Sequence, residues 1–160
     1  MEKILIIFKK KKKYLMMIIF LLIIISSGFS YFKYYQKNFN KKISEEYIEA
    51  GIYLSQKNEE DSKKIFKKII EKKHYFYSAL ALNSIIENDL EESEVEIIRL
   101  FEIVEKSVKE KEQKNLIKFK KALYYFKKLK VKEGNKLLNE IIDENSIWKE
   151  AAKQTLKSSQ

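Results

Sequence analysis

Residues 14–32 read YLMMIIFLLIIISSGFSYF, a nineteen-residue run without a charge, directly after the lysines Lys9–Lys13. At about 1.5 Å per helical residue the run reaches roughly 28 Å, close to the ~30 Å hydrocarbon core of a bilayer. Everything from Lys33 on is charged and patterned for water. The chain therefore divides into a basic N-terminus (residues 1–13), a transmembrane helix (14–32), a juxtamembrane linker (33–43) and a soluble domain (44–160).

Lys3 and Lys9–Lys13 precede the span against one acid, Glu2, whereas Lys33, Lys37, Lys41 and Lys42 follow it. The excess on the N-terminal side favours a cytoplasmic N-terminus. The soluble domain is then expected across the membrane, in the periplasm of a bacterial cell. Tyr14 and the cluster Phe29, Tyr31, Phe32, Tyr34 and Tyr35 suit the two headgroup interfaces. A cleaved signal peptide is the rival reading of the same segment. It has a basic n-region and an apolar core, Leu15–Ile25, but no A-x-A-like site. The absence of Cys excludes lipoprotein processing, disulfides and thiolate metal sites.

The formal net charge is +10. Much of it lies before the span, and the lysines beyond are interleaved with acids, as on a solvated helix surface. Of the basic residues only Arg99 is an arginine. The planar guanidinium usual at phosphate contacts is therefore nearly absent, and nucleic-acid binding is not expected. With no Pro and three Gly, a loop-rich or all-β fold is also disfavoured.

The soluble part has helical periodicity throughout. Ser44 is the expected N-cap of a first helix, with Tyr47, Ala50, Gly51 and Leu54 on its inner face. Asn58-Glu59-Glu60-Asp61 opens a second, striped by Ile65, Phe66, Ile69 and Ile70. His74 and Tyr75 mark a turn before a third, with Tyr77, Leu80, Ala81, Leu82 and Ile85. Asn88-Asp89 precedes a fourth, with Ile97, Leu100, Phe101 and Val104. Residues 105–114 are almost wholly polar, either an exposed helix or a longer connection. Leu116, Phe119, Leu123 and Phe126 stripe a fifth helix; Leu137, Leu138, Ile141 and Ile142 a sixth. Asn145-Ser146 opens a last one with Ile147, Trp148, Ala151, Ala152 and Leu156.

A small residue followed by apolar residues at +4 and +7 occurs three times. The sets are Ser62/Phe66/Ile69, Ser93/Ile97/Leu100 and Gly134/Leu138/Ile141. Helix pairs repeating at about 34 residues are the tetratricopeptide signature, so the expected fold is all-α: about three tetratricopeptide-like helix pairs and a C-terminal helix after one transmembrane helix. A plain helical bundle is the alternative.

The stretches 45–70, 75–101 and 145–156, together with the anchor, resemble the bacterial family of ancillary Sec translocon subunits with a tetratricopeptide-like domain. The family usually has a Gly-Asp turn where Asn88-Asp89 stands, and a Pro where Ile147 stands. The resemblance implies an inner-membrane protein whose periplasmic domain binds translocon subunits or secreted clients in a chaperone-like or scaffold role. A scaffold subunit of another envelope assembly, in the division or outer-membrane machinery, is the alternative. So is a cytoplasmic-facing basic domain on anionic lipid, through Lys33–Lys42.

Catalytic chemistry is not expected. His74 is the only His, and no metal-ligand spacing, Gly-rich phosphate loop or nucleophile elbow is present. The chain is therefore read as a non-enzyme without cofactor, metal or small-molecule substrate, meeting lipid through residues 14–32 and proteins through its helices. In helix-pair repeats the first helix of each unit lines a concave surface. Ile48 and Ile52 face it in the first unit, Ala79 and Asn83 in the second, with Phe76 nearby. These five are the candidate partner-binding residues.

Overall fold

The computed structural model describes residues 2–158. The side chains of residues 1–13 and of Leu15 lie outside the described residues, including the lysines Lys3 and Lys9–Lys13 that carry the orientation argument. The described residues are helical, with no strand: α1 (Glu2–Ser55), α2 (Glu59–Glu71), α3 (Tyr77–Glu87), α4 (Glu94–Ser107), α5 (Lys111–Lys127), α6 (Val131–Asp143) and α7 (Lys149–Ser158). The chain forms two compact units, Met1–Lys42 and Ile43–Gln160.

In the first unit, one helix is long and apolar enough to cross a membrane, and its apolar residues from Met16 to Phe32 are exposed. The stretch expected to be a linker, 33–43, is helical, and Ser44 lies inside α1 rather than capping it. No Pro or Gly interrupts this stretch, and pairs one turn apart support it: Tyr35 and Phe39 stack with centroids 6.4 Å apart, and the Lys33 ammonium sits 4.7 Å from the Phe29 ring centroid.

In the second unit the helices form pairs whose inner faces make the core. Asn58 caps α2 by accepting from the Asp61 N–H, and acids fill that first turn, where the helix dipole favours them. Phe66, Ile69 and Ile70 of α2 are buried, as are Ala81, Leu82 and Ile85 of α3 and Ile97, Leu100, Phe101 and Val104 of α4. Ala122, Leu138, Ile141 and Ala152 centre a second cluster, completed by Phe119, Phe126 and Trp148. The Trp148 indole N–H donates to the Glu112 carbonyl at 3.1 Å, and the ring stacks on Phe119. Ile147, read with that apolar set, is exposed.

The polar stretch 105–114 resolves into the end of α4, an extended residue Val108 whose buried side chain pins the connection, and the start of α5. Two other expectations shift. Gly51 faces solvent with open space beside it, because the inner face of α1 runs through Ile43, Glu46, Tyr47, Ala50 and Leu54. Ser93 is exposed and caps α4, accepting from the Glu96 N–H, so α4 has no small residue at a helix crossing. Ser62 and Gly134 do have that role. Ser62 Oγ donates to the Ala50 carbonyl at 2.9 Å, and Gly134 lies under the Phe126 ring.

Four helices end the same way, with the chain turning through a left-handed residue: Lys57 (φ 61°), Asp89 (47°), Leu129 (59°) and Asn145 (50°). The next N–H reaches back to the carbonyl five residues earlier: Asn58 to Tyr53, Leu90 to Ile85, Lys130 to Tyr125 and Ser146 to Ile141. This is the Schellman closure, here made without glycine.

The first and third helix pairs are one structure repeated. α2 and α6 start and end 72 residues apart, and so do the ends of α1 and α5 and the starts of α3 and α7. Side chains follow: Ile43 matches Asn115, Ala50 matches Ala122, Phe66 matches Leu138 and Ile69 matches Ile141, all buried. The ion pairs also correspond, with charge reversed. Glu46 pairs with Lys68 at 3.3 Å and with Lys72; at the matching positions Lys118 pairs with Glu140 at 3.4 Å and Glu144 at 2.7 Å. The arrangement is compatible with tetratricopeptide-like pairing.

Candidate interaction surface

The segment of α1 in the second unit has two faces. Tyr47 anchors the inner one: its ring lies 5.5 Å from Phe66 and 5.9 Å from Tyr77, and its hydroxyl is 3.2 Å from Ser84 Oγ. Glu46 is beside it, 11% exposed at the side chain. Burial pushes its carboxyl up, but Lys72 and Lys68 outweigh this and hold it below the usual value. Lys118 mirrors it: burial pulls the ammonium down, while Glu144 and Glu140 raise it above its ordinary value.

The outer face carries Glu45, Ile48, Glu49 and Ile52. Ile48 and Ile52 stand one helical turn apart, 59% and 51% exposed. An apolar pair held in water between carboxylates is a feature that packing alone does not explain. Phe76, at the N-terminal boundary of α3, is half exposed, beside the exposed Tyr75, which the sequence marks only as a turn residue. Ala79 is half-buried. Asn83 is engaged within the fold. Its amide donates to Glu87 Oε1 at 2.5 Å, and its oxygen accepts from Lys120 Nζ at 2.8 Å, tying α3 to α5. The structure therefore brings Ile48 and Ile52 onto one exposed face, and places Asn83 in a contact between helices.

No family model, curated protein or solved structure matches this chain.

His74 is buried in the turn before α3. Its Nδ1 accepts from the Phe76 and Tyr77 N–H groups, at 3.3 and 3.2 Å, and burial pulls its pKa below the ordinary value. Ser146, 72 residues on, plays the same part, its Oγ accepting from the Trp148 N–H at 3.2 Å. His74 is thus used as a cap-like backbone acceptor. Among the described residues no group of three or more His, Cys, Asp or Glu is placed to hold a metal ion.

Proposed function

We propose that this chain is a membrane-anchored, non-catalytic protein interaction module. Its N-terminus lies in the cytoplasm and its helical domain in the periplasm, where it assists or scaffolds proteins near the translocation channel. The observation that carries this reading is the exposed Ile48–Ile52 pair on a repeat-type helix, in a chain that also has a membrane-length apolar helix. A short apolar face supports weak contact with another protein. Confinement to the membrane raises the effective concentration of partners in the same membrane, so weak contacts suffice. The use of His74 as a backbone acceptor, rather than as a group open to substrate, agrees with a binding role.

Lysine-directed crosslinking of the full chain in intact membranes, followed by identification of the linked proteins, tests this. Translocon subunits or secreted clients are expected. Recovery of division or outer-membrane subunits alone would assign it to another envelope assembly, and recovery of no protein would refute the interaction role. Protease treatment of sealed spheroplasts tests the orientation: the domain should be digested from outside, and its protection would place it in the cytoplasm.

A further inference from the structure

The turn between α2 and α3 holds two aromatic rings out in solvent: Tyr75 is 58% exposed and Phe76 50%. The fold fixes this turn from within. His74 Nδ1 accepts from the Phe76 and Tyr77 N–H groups, and its ring stacks on Tyr75 with centroids 5.0 Å apart. Phe76 meets Tyr77 edge to face at 5.2 Å, and the Tyr77 ring lies 5.9 Å from that of Tyr47. Rings ordered in advance lose little conformational freedom on docking. The 72-residue repeat places a large apolar side chain at the same point of the matching turn. Ile147 stands where Tyr75 does and is also exposed.

Both turns lie at the end of the second unit where Ile43 begins it. Glu46, beside Ile43, pairs with Lys72. The Ile147 N–H is held by Glu112 at the start of α5. α5 runs beside α3 in the same direction, since Lys120 meets Asn83 and Lys127 meets Asp89. Ile43 follows Phe32, the last residue of the uncharged run, by eleven residues. With residues 14–32 across a bilayer, chain length alone keeps Ile43 within about 36 Å of the hydrocarbon.

The geometry points to a second membrane contact: the 72–76 turn seats this end of the domain on the surface of the bilayer that holds the span, with Tyr75 and Phe76 at headgroup level, Lys73 on lipid phosphate and Ile147 as a further point of contact. Aromatic rings beside lysine suit a headgroup interface. Charge at the turn does not oppose the contact. Glu46 pairs with Lys68 and Lys72, Glu71 pairs with Arg99, and Glu45 has a partner within the chain. Lys73 is exposed and has no ion pair among the described residues. The two tips belong to different helix pairs, and one continuous surface meets both. The bilayer is also the surface that the tether keeps permanently in reach, at high effective concentration. The contact goes beyond the interaction-module reading: it does not use the outer face of α1, and it holds on either side of the membrane.

The chain has no Cys, so single nitroxide labels can be placed cleanly. The test labels Tyr75→Cys, Ile147→Cys, Leu129→Cys and Ile23→Cys in the full chain, reconstituted alone in vesicles of phosphatidylcholine and phosphatidylglycerol. Leu129, exposed at the opposite end of the domain, is the aqueous reference, and Ile23, within the apolar run, is the lipid reference. Labels at 75 and 147 should favour collision with oxygen over a water-soluble nickel chelate, as at 23, while the label at 129 favours the chelate. Lys73→Gln should lower the docked-to-free ratio at 75 about fivefold, the effect of one lysine near an anionic surface. Tyr75→Ser with Phe76→Ser should turn the label at 147 toward water in a chain that keeps its helix signal. Water contact at 75 equal to that at 129, with 23 in lipid, overturns this proposal and leaves the protein-interaction role standing. Water contact at 23 as well overturns the anchor with it. Shielding of 75 in native membranes but not in the vesicles overturns the proposal in favour of a protein occupant. An unmoved label at 147 overturns the assignment of the 72–76 turn as the anchor point.

Discussion

Reversing the charge at Glu46 tests whether the first and third helix pairs are equivalent. Glu46 is nearly enclosed, and its principal partner Lys72 is 21% exposed, whereas Lys68 is 61% exposed and screened. Lys72 therefore provides most of the stabilisation. Removing one partner of an enclosed pair costs about 3 kcal/mol, much of it from the charge left behind. Glu46→Lys should cost at least that, since it sets three ammonium groups together. Adding Lys72→Glu recreates the polarity of Lys118 with Glu144, which the same backbone already accommodates 72 residues later. The double variant should return to within about 1 kcal/mol of wild type, a coupling of about 2 kcal/mol or more. Urea unfolding of the full chain in mild detergent, followed by circular dichroism, measures each variant, with the helix signal of the apolar span common to all. If the double variant is as unstable as the two single effects added, the charge-reversed correspondence is a coincidence of sequence and the argument fails.

Other consequences are checked on the same full chain. Leu129 holds a left-handed backbone and is 88% exposed, so Leu129→Gly should stabilise by about 1 kcal/mol, about 4 °C in melting temperature. Gly51→Ala should also stabilise, by about 1 kcal/mol, because it improves helix propensity in open space. Gly134→Ala should destabilise by about 1–3 kcal/mol, since the new Cβ would stand 2.6 Å from Phe126 Cε1. His74 has a folded pKa below its unfolded value of about 6.5. Its contribution is full above pH 6.5 and is lost as pH falls from there through the lower folded value, when Nδ1 gains a proton and can no longer accept. His74→Ser, which copies Ser146, should keep the turn and flatten the fall in melting temperature that sets in below about pH 6.5.

The apolar positions of the helices were legible wherever a helix buries one face. Phe66, Ile69, Ile97, Leu100, Leu138 and Ile141 are all buried, as their period predicts. α5 misled because it is covered on two sides: Asn115 and Ala122 turn one way, Ile117 and Tyr124 the other. No single stripe describes such a helix, and Leu123, assigned to that stripe, is exposed. The continuity of α1 was hidden because Ser44 has the chemistry of a cap, while no Pro or Gly was present to end the preceding turn. Ser93 was misplaced because a cap and a packing residue are both small. The 72-residue repeat is not legible in the sequence because it preserves element boundaries and ion pairing but few identities: Glu46 becomes Lys118, Lys72 becomes Glu144, and His74 becomes Ser146. Ile48 and Ile52, expected on a concave surface, are more than half exposed, and the 72-residue match aligns Ile52 with the buried Tyr124, a correspondence that the residue types alone do not reveal.

The central claim is that the chain meets other proteins through the exposed face of α1. Quantitative crosslinking in native membranes of wild type against Ile48→Glu with Ile52→Glu addresses it most directly, with melting temperatures measured alongside. Both side chains are more than half exposed, so the fold should tolerate the change. Losing two apolar contacts should reduce recovery of the linked proteins at least about tenfold. Unchanged recovery from a folded double variant would contradict the account.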